Sequence, residues 1–394
     1  MVKSIKNSTI DLLRLCALEV LTADQQNSLV MLVHTAVDWK EFLCRVNREG
    51  LGPLAYSHLK GLKDQIPPSV IARLKEFYLK TAALQACVEK EIQPFLSALE
   101  ENSLPVFVVK GKRLAHTAYG VAPHRPFVDV DLLMAGSLFS RLLPFLKKMG
   151  YRRMLRSSEL EKEDPSIPFW TYRPVYAIGR LLLEFHFSFP SLQVPVEPDD
   201  DLHMMSRRVG VGGAGMKILS PEHELCLLCG HAQQHSYSRL IWLADLVRLI
   251  ENENPDWTRV LLFSRKIGMD APLYWGLKLA SRLRPEIVPS AVLNGFRLTW
   301  TEKKLLTLLW PERDVIDLRK PLHLPMYGPV MFSLLRQKKL SSAFRMLGRM
   351  LFPPPYWIAH YYGISLRSPA LFCHYLWRIS RPFFVVVEKI FHLR

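Results

Sequence analysis

The chain has 394 residues, of which 49% are hydrophobic and 22% are charged, and its formal net charge is +16. This composition is ordinary for folded domains, and the length allows two or three of them. The sequence contains no low-complexity segment, no repeat of fixed period and no run of about 18 uncharged apolar residues, which excludes repeat proteins and a membrane-spanning helix.

The cysteines are scattered through apolar stretches without the dense spacing of a disulfide scaffold: Cys16, Cys44, Cys87, Cys226, Cys229 and Cys373. Such usage indicates a reducing compartment. The apolar stretch at 12–21 is interrupted by Arg14 and Glu19 and makes a poor signal peptide. We therefore expect a cytoplasmic protein.

Residues 1–102 are predicted to form a helical N-terminal region. Pro67-Pro68 precedes an apolar pattern with a period of 3.6 residues, as proline does at the start of a helix. A long amphipathic helix is predicted over 81–102, and it ends at Asn102-Ser103.

Residues 103–218 are predicted to form a small mixed α/β core, because short β-branched and aromatic runs replace the helical pattern. The predicted strands are Leu104–Val109, Phe127–Met134 and Arg180–Phe189, and the predicted helices are Arg113–Tyr119 and Ser137–Met149. The Gly-rich residues 210–215 are predicted to form a hairpin or loop. The expected fold class is therefore α+β, with a small mixed sheet flanked by helical regions on both sides.

Residues 219–310 are predicted to form a helical domain, followed by a basic, proline-punctuated helical region at 311–394. Ser220 and Pro221 form a strong helix start, with a capping serine and a proline at the first helical position. Cys226 and Cys229 fall in this helix. They are interpreted as part of its buried stripe rather than as zinc ligands, because no second cysteine pair follows.

The C-terminal segment is strongly basic. From Leu318 to Arg394 there are 12 lysines and arginines against one acid, Glu388, which gives a net charge of +11. Such a surface attracts the phosphates of nucleotides, RNA or anionic lipid. A solvated face that aids solubility explains the same charge equally well. The apolar residues 383–387 suit packing against the core, or less commonly an interfacial helix on lipid.

Asp129 and Asp131 stand two residues apart in the second predicted strand. Side chains at i and i+2 point to one face of a strand, so both carboxylates are expected to project together. Val128, Val130 and Leu132 are then free to face the core. Carboxylates held side by side repel each other, and a cation compensates them. Mg²⁺ binds one or two carboxylates and fills its shell with water and phosphate oxygens, so the pair predicts a magnesium site.

The third predicted strand places Glu184 and His186 on one face and the apolar residues 181, 183 and 185 on the other. Glu184 can complete a three-carboxylate metal site or deprotonate an attacking hydroxyl. A half-exposed strand whose polar face meets water explains the same two residues equally well.

Lys110-Gly111 ends the first predicted strand, and Arg125 precedes the acidic pair by four residues. Glycine allows the backbone to come close to a ligand, and lysine supplies a point charge for phosphate. Arg125 is expected to contact a phosphate or to pair with the acids, and an ordinary surface charge is an equal alternative.

Taken in order, these positions resemble the core pattern of the uncharacterised nucleotidyltransferases of the polymerase-β-like superfamily: Lys110-Gly111, Tyr119, Arg125, Asp129 and Asp131. The similarity extends through Glu184-Phe185-His186 to the helical segment of His231, His235, Trp242 and Asp245. Many superfamily members have Gly-Ser after the first strand, and the serine helps to hold the triphosphate. This chain has Lys110-Gly111-Lys112 instead, which leaves open which groups cradle the phosphates.

The resemblance implies transfer of a nucleoside monophosphate from an NTP, with the metal ligands Asp129, Asp131 and Glu184. The metal would be Mg²⁺, or Mn²⁺ in its place. The candidate nucleotide-binding residues are Lys110, Gly111, Arg125, His186, His231 and His235. For His231 and His235, a packed and hydrogen-bonded role is the favoured alternative.

The acceptor stays open between a small molecule, a sugar, RNA and a protein. RNA is compatible with the basic C-terminal region, and peripheral contact with a membrane is a weaker interpretation of the same charge. The alternative from another class is a non-catalytic nucleotide-binding or scaffold protein, with or without membrane association. The intact acids Asp129, Asp131 and Glu184 argue against that alternative.

Overall fold

The structure is a computed structural model. It describes residues 2–35, 37–154, 175–189, 194–195, 206–211 and 214–316, and of the C-terminal region residues 352, 355, 364–365, 367–377 and 380. Most of the predicted basic region at 311–394, including its apolar residues 383–387, therefore lies outside the described residues.

Five helices form the N-terminal part of the chain: α1 (Val2–Ala17), α2 (Ala23–Val33), α3 (Trp39–Glu49), α4 (Gly52–Leu59) and α5 (Pro68–Glu101). Pro68 is the first residue of α5, as predicted, and the helix ends at Asn102. The predicted helix over 81–102 is the second half of α5. The helix is longer than predicted because its buried positions continue back through Leu74 to Val70.

The central sheet has five strands: β1 (Phe107–Val109), β2 (Val130–Leu133), β3 (Arg152–Met154), β4 (Val175–Ile178) and β5 (Leu181–His186). Their order is β1-β2-β5-β4-β3. The pair β2–β5 is parallel, and the other neighbouring pairs are antiparallel. The mixed sheet that was predicted is thus confirmed, although its strands are shorter than expected.

Helix α6 (Lys110–Thr117) follows β1, and helix α7 (Phe139–Lys148) follows β2. Two small hairpins stand beside the sheet, β6 (Ser188–Phe189) with β7 (Val194–Pro195), and β8 (Arg207–Val211) with β9 (Ala214–Ile218). The second of these is the hairpin predicted for the Gly-rich residues 210–215, of which residues 212 and 213 are not described.

One face of the sheet covers an apolar core that it shares with α5 and α7. The alternation predicted for β5 is confirmed, since Leu181, Leu183 and Phe185 are all fully buried. Phe139 of α7 packs edge-on against Phe185, with ring centroids 5.2 Å apart. This packing fixes which face of β5 carries the polar side chains.

Between residues 219 and 316, seven helices follow the hairpins: α8 (Pro221–Gln234), α9 (Leu240–Glu253), α10 (Trp257–Ile267), α11 (Asp270–Leu283), α12 (Ser290–Gly295), α13 (Trp300–Leu309) and α14 (Glu312–Ile316). Ser220 caps α8 through its hydroxyl, as predicted. Cys226 and Cys229 are fully buried within α8. No helix within the described ranges is long and apolar enough to cross a membrane.

The largest buried cluster joins the N-terminal helices to α8–α14 and includes Phe107 and Leu133 of the sheet. Packing is thus continuous across the predicted boundaries at 102/103 and 218/219. The division into four regions at 1–102, 103–218, 219–310 and 311–394 remains a prediction.

Candidate functional site

Asp131 lies in the middle of the sheet, at the second position of β2. Only 9% of the surface of Asp131 is exposed, and Asp131 pairs in register with Val109 of β1 and Glu184 of β5. Because β2 and β5 are parallel and adjacent, side chains at paired positions project to the same face. The register therefore places the two carboxylates of Asp131 and Glu184 next to each other.

His186 joins these two acids, and one potential ligand atom from each of the three residues lies within 4.8 Å of the others. Its Nε2 is 2.7 Å from Oδ1 of Asp131 and 3.6 Å from Oε1 of Glu184. Glu184 and His186 share a face because they are two residues apart in β5. The structure thus assembles two carboxylates and one imidazole, a set that suits a divalent cation.

Lys110 supplies the positive charge of this cluster. Its Nζ lies 2.7 Å from Oδ1 of Asp131 and 3.2 Å from Nε2 of His186, and the lysine is buried. Burial alone would raise the pKa of the Asp131 carboxyl, but the charges of Lys110 and His186 hold that pKa well below its usual range. Asp131 is therefore ionised, with Lys110 as its counter-ion.

The backbone of Lys110 is held in an uncommon conformation. Lys110 is the first residue of α6, and its φ of +55° lies in the left-handed region that disfavours residues other than glycine. Its N–H donates to Oε1 of Glu224, 2.7 Å away on α8. Glu224 is fully buried, and burial raises the pKa of its carboxyl to about 7.

Glu224 belongs to a buried ionic network that sequence reasoning missed. Its Oε2 lies 3.9 Å from Nε of Arg113, and Nη1 of Arg113 is 2.6 Å from Oε1 of Glu253. Thr117 also donates to Glu253, at 3.1 Å. The signal in the sequence was weak: Glu224 lies in the first turn of α8, where an acid is explained equally well by the helix dipole.

Asp129 lies just before β2, which begins at Val130, and its carboxyl is not one of the three clustered groups. The predicted strand from Phe127 was too long, and Val128, which was expected to face the core, is 68% exposed. Burial, and then the negative charges of Asp131 and Glu184, raise the pKa of Asp129 to about 6. Asp129 therefore stands within electrostatic reach of the cluster.

Arg125 is buried and forms a two-pronged ion pair with Asp245 of α9, with Nε–Oδ1 and Nη2–Oδ2 distances of 2.6 and 2.7 Å. The hydroxyl of Tyr119 donates to the same carboxylate at 3.0 Å. The expected pairing of Arg125 with an acid thus occurs, but the acid is Asp245 rather than Asp129 or Asp131. Its contact with phosphate remains a prediction.

Gly111 stands against Phe127. A Cβ atom at position 111 would lie 2.8 Å from Cβ of Phe127, which is too close for two carbon atoms. The close neighbour of this glycine is therefore a side chain of the protein itself, and the role of Gly111 in nucleotide binding remains a prediction.

His231 and His235 lie at the end of α8 beside Trp242 of α9. The centroid of the His231 ring lies 4.7 Å from that of His235 and 5.2 Å from that of Trp242. Burial, and then the positive charge of Lys110, hold the pKa of His231 well below its usual range. His231 is thus a neutral imidazole close to the Lys110–Asp131 pair.

Comparisons with known proteins found one matching family model and one similar solved structure. The family model described as uncharacterised nucleotidyltransferase matches residues 35–285. The chain also resembles an antigenic nucleotidyltransferase-like protein from Paracoccidioides brasiliensis, known from a crystal structure, at 17% identity. That match covers 54% of this chain and 96% of the other, with a TM-score of 0.31. No curated protein matches the chain in sequence.

Proposed function

The chain belongs to the family of uncharacterised nucleotidyltransferases, and from this membership we propose that it transfers a nucleoside monophosphate from an NTP to an acceptor in a metal-dependent reaction. The observation that carries the proposal is the pairing of Asp131 with Glu184 on the parallel strands β2 and β5. A buried lysine at this pair adds the cation that an anionic substrate needs.

The donor atoms suit a divalent cation. Asp131, Glu184 and His186 are the clustered candidate ligands, and Asp129 is the neighbouring carboxyl. Burial, and then repulsion by Asp131 and Glu184, raise the pKa of Asp129, and a cation would relieve the repulsion. Carboxylate oxygens favour Mg²⁺, while the imidazole of His186 also suits Mn²⁺. A bound cation of this kind neutralises phosphate charge and polarises the phosphoryl oxygen.

Lys110 acts as the phosphate ligand in the proposal. In the structure its ammonium neutralises Asp131. With a divalent cation held by Asp131, the ammonium of Lys110 would no longer be needed as its counter-ion, and Nζ would donate to an anionic phosphate oxygen. Glu224 accepts the backbone N–H of Lys110 and so holds that backbone, which gives the lysine side chain a defined origin.

Glu184 is the proposed acceptor of the proton. The hydroxyl oxygen of the acceptor substrate bonds to the α-phosphorus, the bond from that phosphorus to the bridging oxygen breaks, and pyrophosphate leaves. The hydroxyl proton passes to the carboxylate of Glu184. The acceptor is a small molecule, a sugar, RNA or a protein, and the basic C-terminal region is compatible with RNA.

A direct test measures NTP binding to the full chain with and without Mg²⁺, in the wild type and in the double variant Asp129→Asn plus Asp131→Asn. Binding should require Mg²⁺ and be lost in the double variant. Asp64→Asn, an exposed carboxylate outside the site, serves as the matched control. If NTP affinity changes neither on removal of Mg²⁺ nor in the double variant, the chain is a nucleotide-binding or scaffold protein instead.

The acceptor can then be found by incubating the protein with labelled NTPs and a cell extract and locating the label. Label in RNA, protein or a small molecule identifies the acceptor class. Sedimentation with anionic liposomes at low salt tests the weaker proposal of membrane contact, which an absence of binding would remove.

A further inference from the structure

Three aromatic side chains, His231, His235 and Trp242, form what we call the ring cluster. The three centroid distances are 4.7 Å between the histidines, 5.2 Å from His231 to Trp242 and 5.3 Å from His235 to Trp242. Each ring therefore contacts both of the others. The cluster joins the end of α8 to the first turn of α9.

The ring cluster is connected to the candidate metal site through α8. Glu224 and His231 are seven residues apart on α8, so they share a helix face and are separated by two turns, roughly 10 Å. Glu224 receives the N–H of Lys110 on that face. His231 lies close enough to Lys110, Asp131 and His186 for their charges to act on it. The cluster thus continues the face of α8 that touches the site.

The rings are accessible to a ligand. His235 is exposed, and His231 and Trp242 are half-buried. Nδ1 of His231 is shielded from solvent and has no hydrogen-bond partner among the described residues. A half-buried ring set with an unmet polar atom is a surface that a flat, partly polar molecule can cover.

The turn that carries the cluster is fixed in an unusual conformation. Ser236 and Tyr237 are consecutive residues with φ of +54° and +51°. Two successive non-glycine residues in the left-handed region are rare and persist only where their surroundings hold them. The N–H of Tyr237 donates to the carbonyl of Ala232 at 2.7 Å, and Glu49 accepts the N–H of Leu240 at 2.8 Å. The rings are therefore held in place before any ligand arrives.

We propose that the ring cluster binds the nucleobase of the NTP, while Lys110 and the acids of the sheet hold its triphosphate end. The inference rests on the proposed function, because it assigns the second half of the same substrate. Aromatic rings stack on bases of any sequence, and such stacking changes affinity by about 5- to 150-fold per base.

The test compares ATP with inorganic tripolyphosphate, which lacks the nucleoside, each measured with Mg²⁺ by calorimetry on the full chain; the ring variants then report on the part of the difference that is due to the base. The wild type should bind ATP about 5- to 150-fold more tightly than tripolyphosphate. His235→Ala and Trp242→Leu should each remove part or all of that difference and leave tripolyphosphate affinity unchanged. Trp242→Phe keeps a ring and should preserve ATP affinity to within about threefold.

Trp300→Ala is the matched control, because Trp300 is 71% exposed on α13 and lies outside the ring cluster. It should change neither affinity. If both ring variants bind ATP as the wild type does, or lose ATP and tripolyphosphate in parallel, the base lies elsewhere and the inference is overturned while the proposed function stands. If the wild type binds neither ligand, the proposed function is wrong and the inference falls with it.

Discussion

The backbone N–H of Lys110 donates to the carboxylate of Glu224 at 2.7 Å, although 114 residues separate the two positions in the chain. The side chain of the same lysine neutralises Asp131 on β2. Glu224 thus holds the backbone of Lys110, the residue whose ammonium neutralises Asp131. Position 224 is part of the site even though it faces no substrate.

Replacing Glu224 should affect stability according to whether an acceptor oxygen is kept. Glu224→Ala leaves the buried N–H of Lys110 without a partner and should lower the free energy of unfolding by about 1–3 kcal/mol. Glu224→Gln keeps an oxygen, and since the pKa of Glu224 is raised to about 7, a neutral side chain is tolerated there. Its loss should be about 1 kcal/mol or less. Urea denaturation at pH 7 measures both, and equal losses would contradict this account.

Lys110→Met should have opposite effects on metal and nucleotide. Removing the ammonium deprives Asp131 of its counter-ion, so a divalent cation should bind more tightly in the absence of NTP, by at least about threefold. NTP affinity and transfer should fall, because the phosphates lose a cation. Mn²⁺ titration followed by electron paramagnetic resonance, with Lys112→Met as a buried control lysine, checks the prediction. A weaker Mn²⁺ affinity would show that Lys110 does not compete with the cation.

Asp129→Asn should stabilise the metal-free protein at neutral pH. The pKa of Asp129 is raised from 3.8 to about 6, so the folded state holds this proton more tightly than the unfolded chain. The corresponding stability is present below pH 4 and is lost as the pH rises from about 4 to about 6. The substitution should therefore add roughly 1–3 kcal/mol at pH 7.5 and little at pH 4. Denaturation in a chelator at both pH values measures the difference, and an equal effect at both would refute the raised pKa.

Metal affinity should also depend on the protonation state of Asp129. Because a protonated Asp129 cannot repel Asp131 or attract a cation, affinity for Mn²⁺ should rise with pH through about 6 in the wild type. In Asp129→Asn that rise should flatten. Metal titrations between pH 5 and pH 7.5 provide the measurement, and an unchanged slope in the variant would assign the titration to another group.

Gly111→Ala should destabilise the protein through Phe127. The added methyl group would meet Cβ of Phe127 at 2.8 Å, a clash that costs about 1–3 kcal/mol. Gly61→Ala is the matched control, because no atom lies within 4 Å of a Cβ built there. Thermal unfolding distinguishes the two variants. If Gly111→Ala folds as stably as Gly61→Ala but loses NTP affinity, the glycine serves the ligand after all.

The residues of the site were predictable where local pattern determines them. The alternation of β5 placed Glu184 and His186 opposite Leu183 and Phe185, which are fully buried in the core, and His186 contacts Asp131 on the other face. The start of β2 was misplaced, because the alternation of residues 127–134 continues before the strand and does not reveal where pairing begins. Consequently Asp129 was assigned a strand position that it does not have.

The remaining relationships depend on contacts between distant parts of the chain. The register that opposes Asp131 to Glu184 is a property of two strands joined by about 50 residues, and no local pattern encodes it. Arg125 finds Asp245 across 120 positions, and Arg113 finds Glu253 across 140. Each pair is buried and joins α9 to a distant part of the chain, Arg113 from α6 and Arg125 from the loop before β2, so it depends on tertiary packing rather than on neighbours in sequence.

The separation of Lys110 and Glu224 in the sequence also bears on the order in which the protein folds during synthesis. The lysine, its strand and Asp131 leave the ribosome well before α8 does, and until then the left-handed backbone at position 110 lacks its acceptor. A nascent chain that ends at β9 already contains the acids and the lysine, yet it lacks the carboxylate that accepts the N–H of Lys110. The charged centre of the sheet is therefore completed late, by the arrival of a helix that supplies no metal ligand.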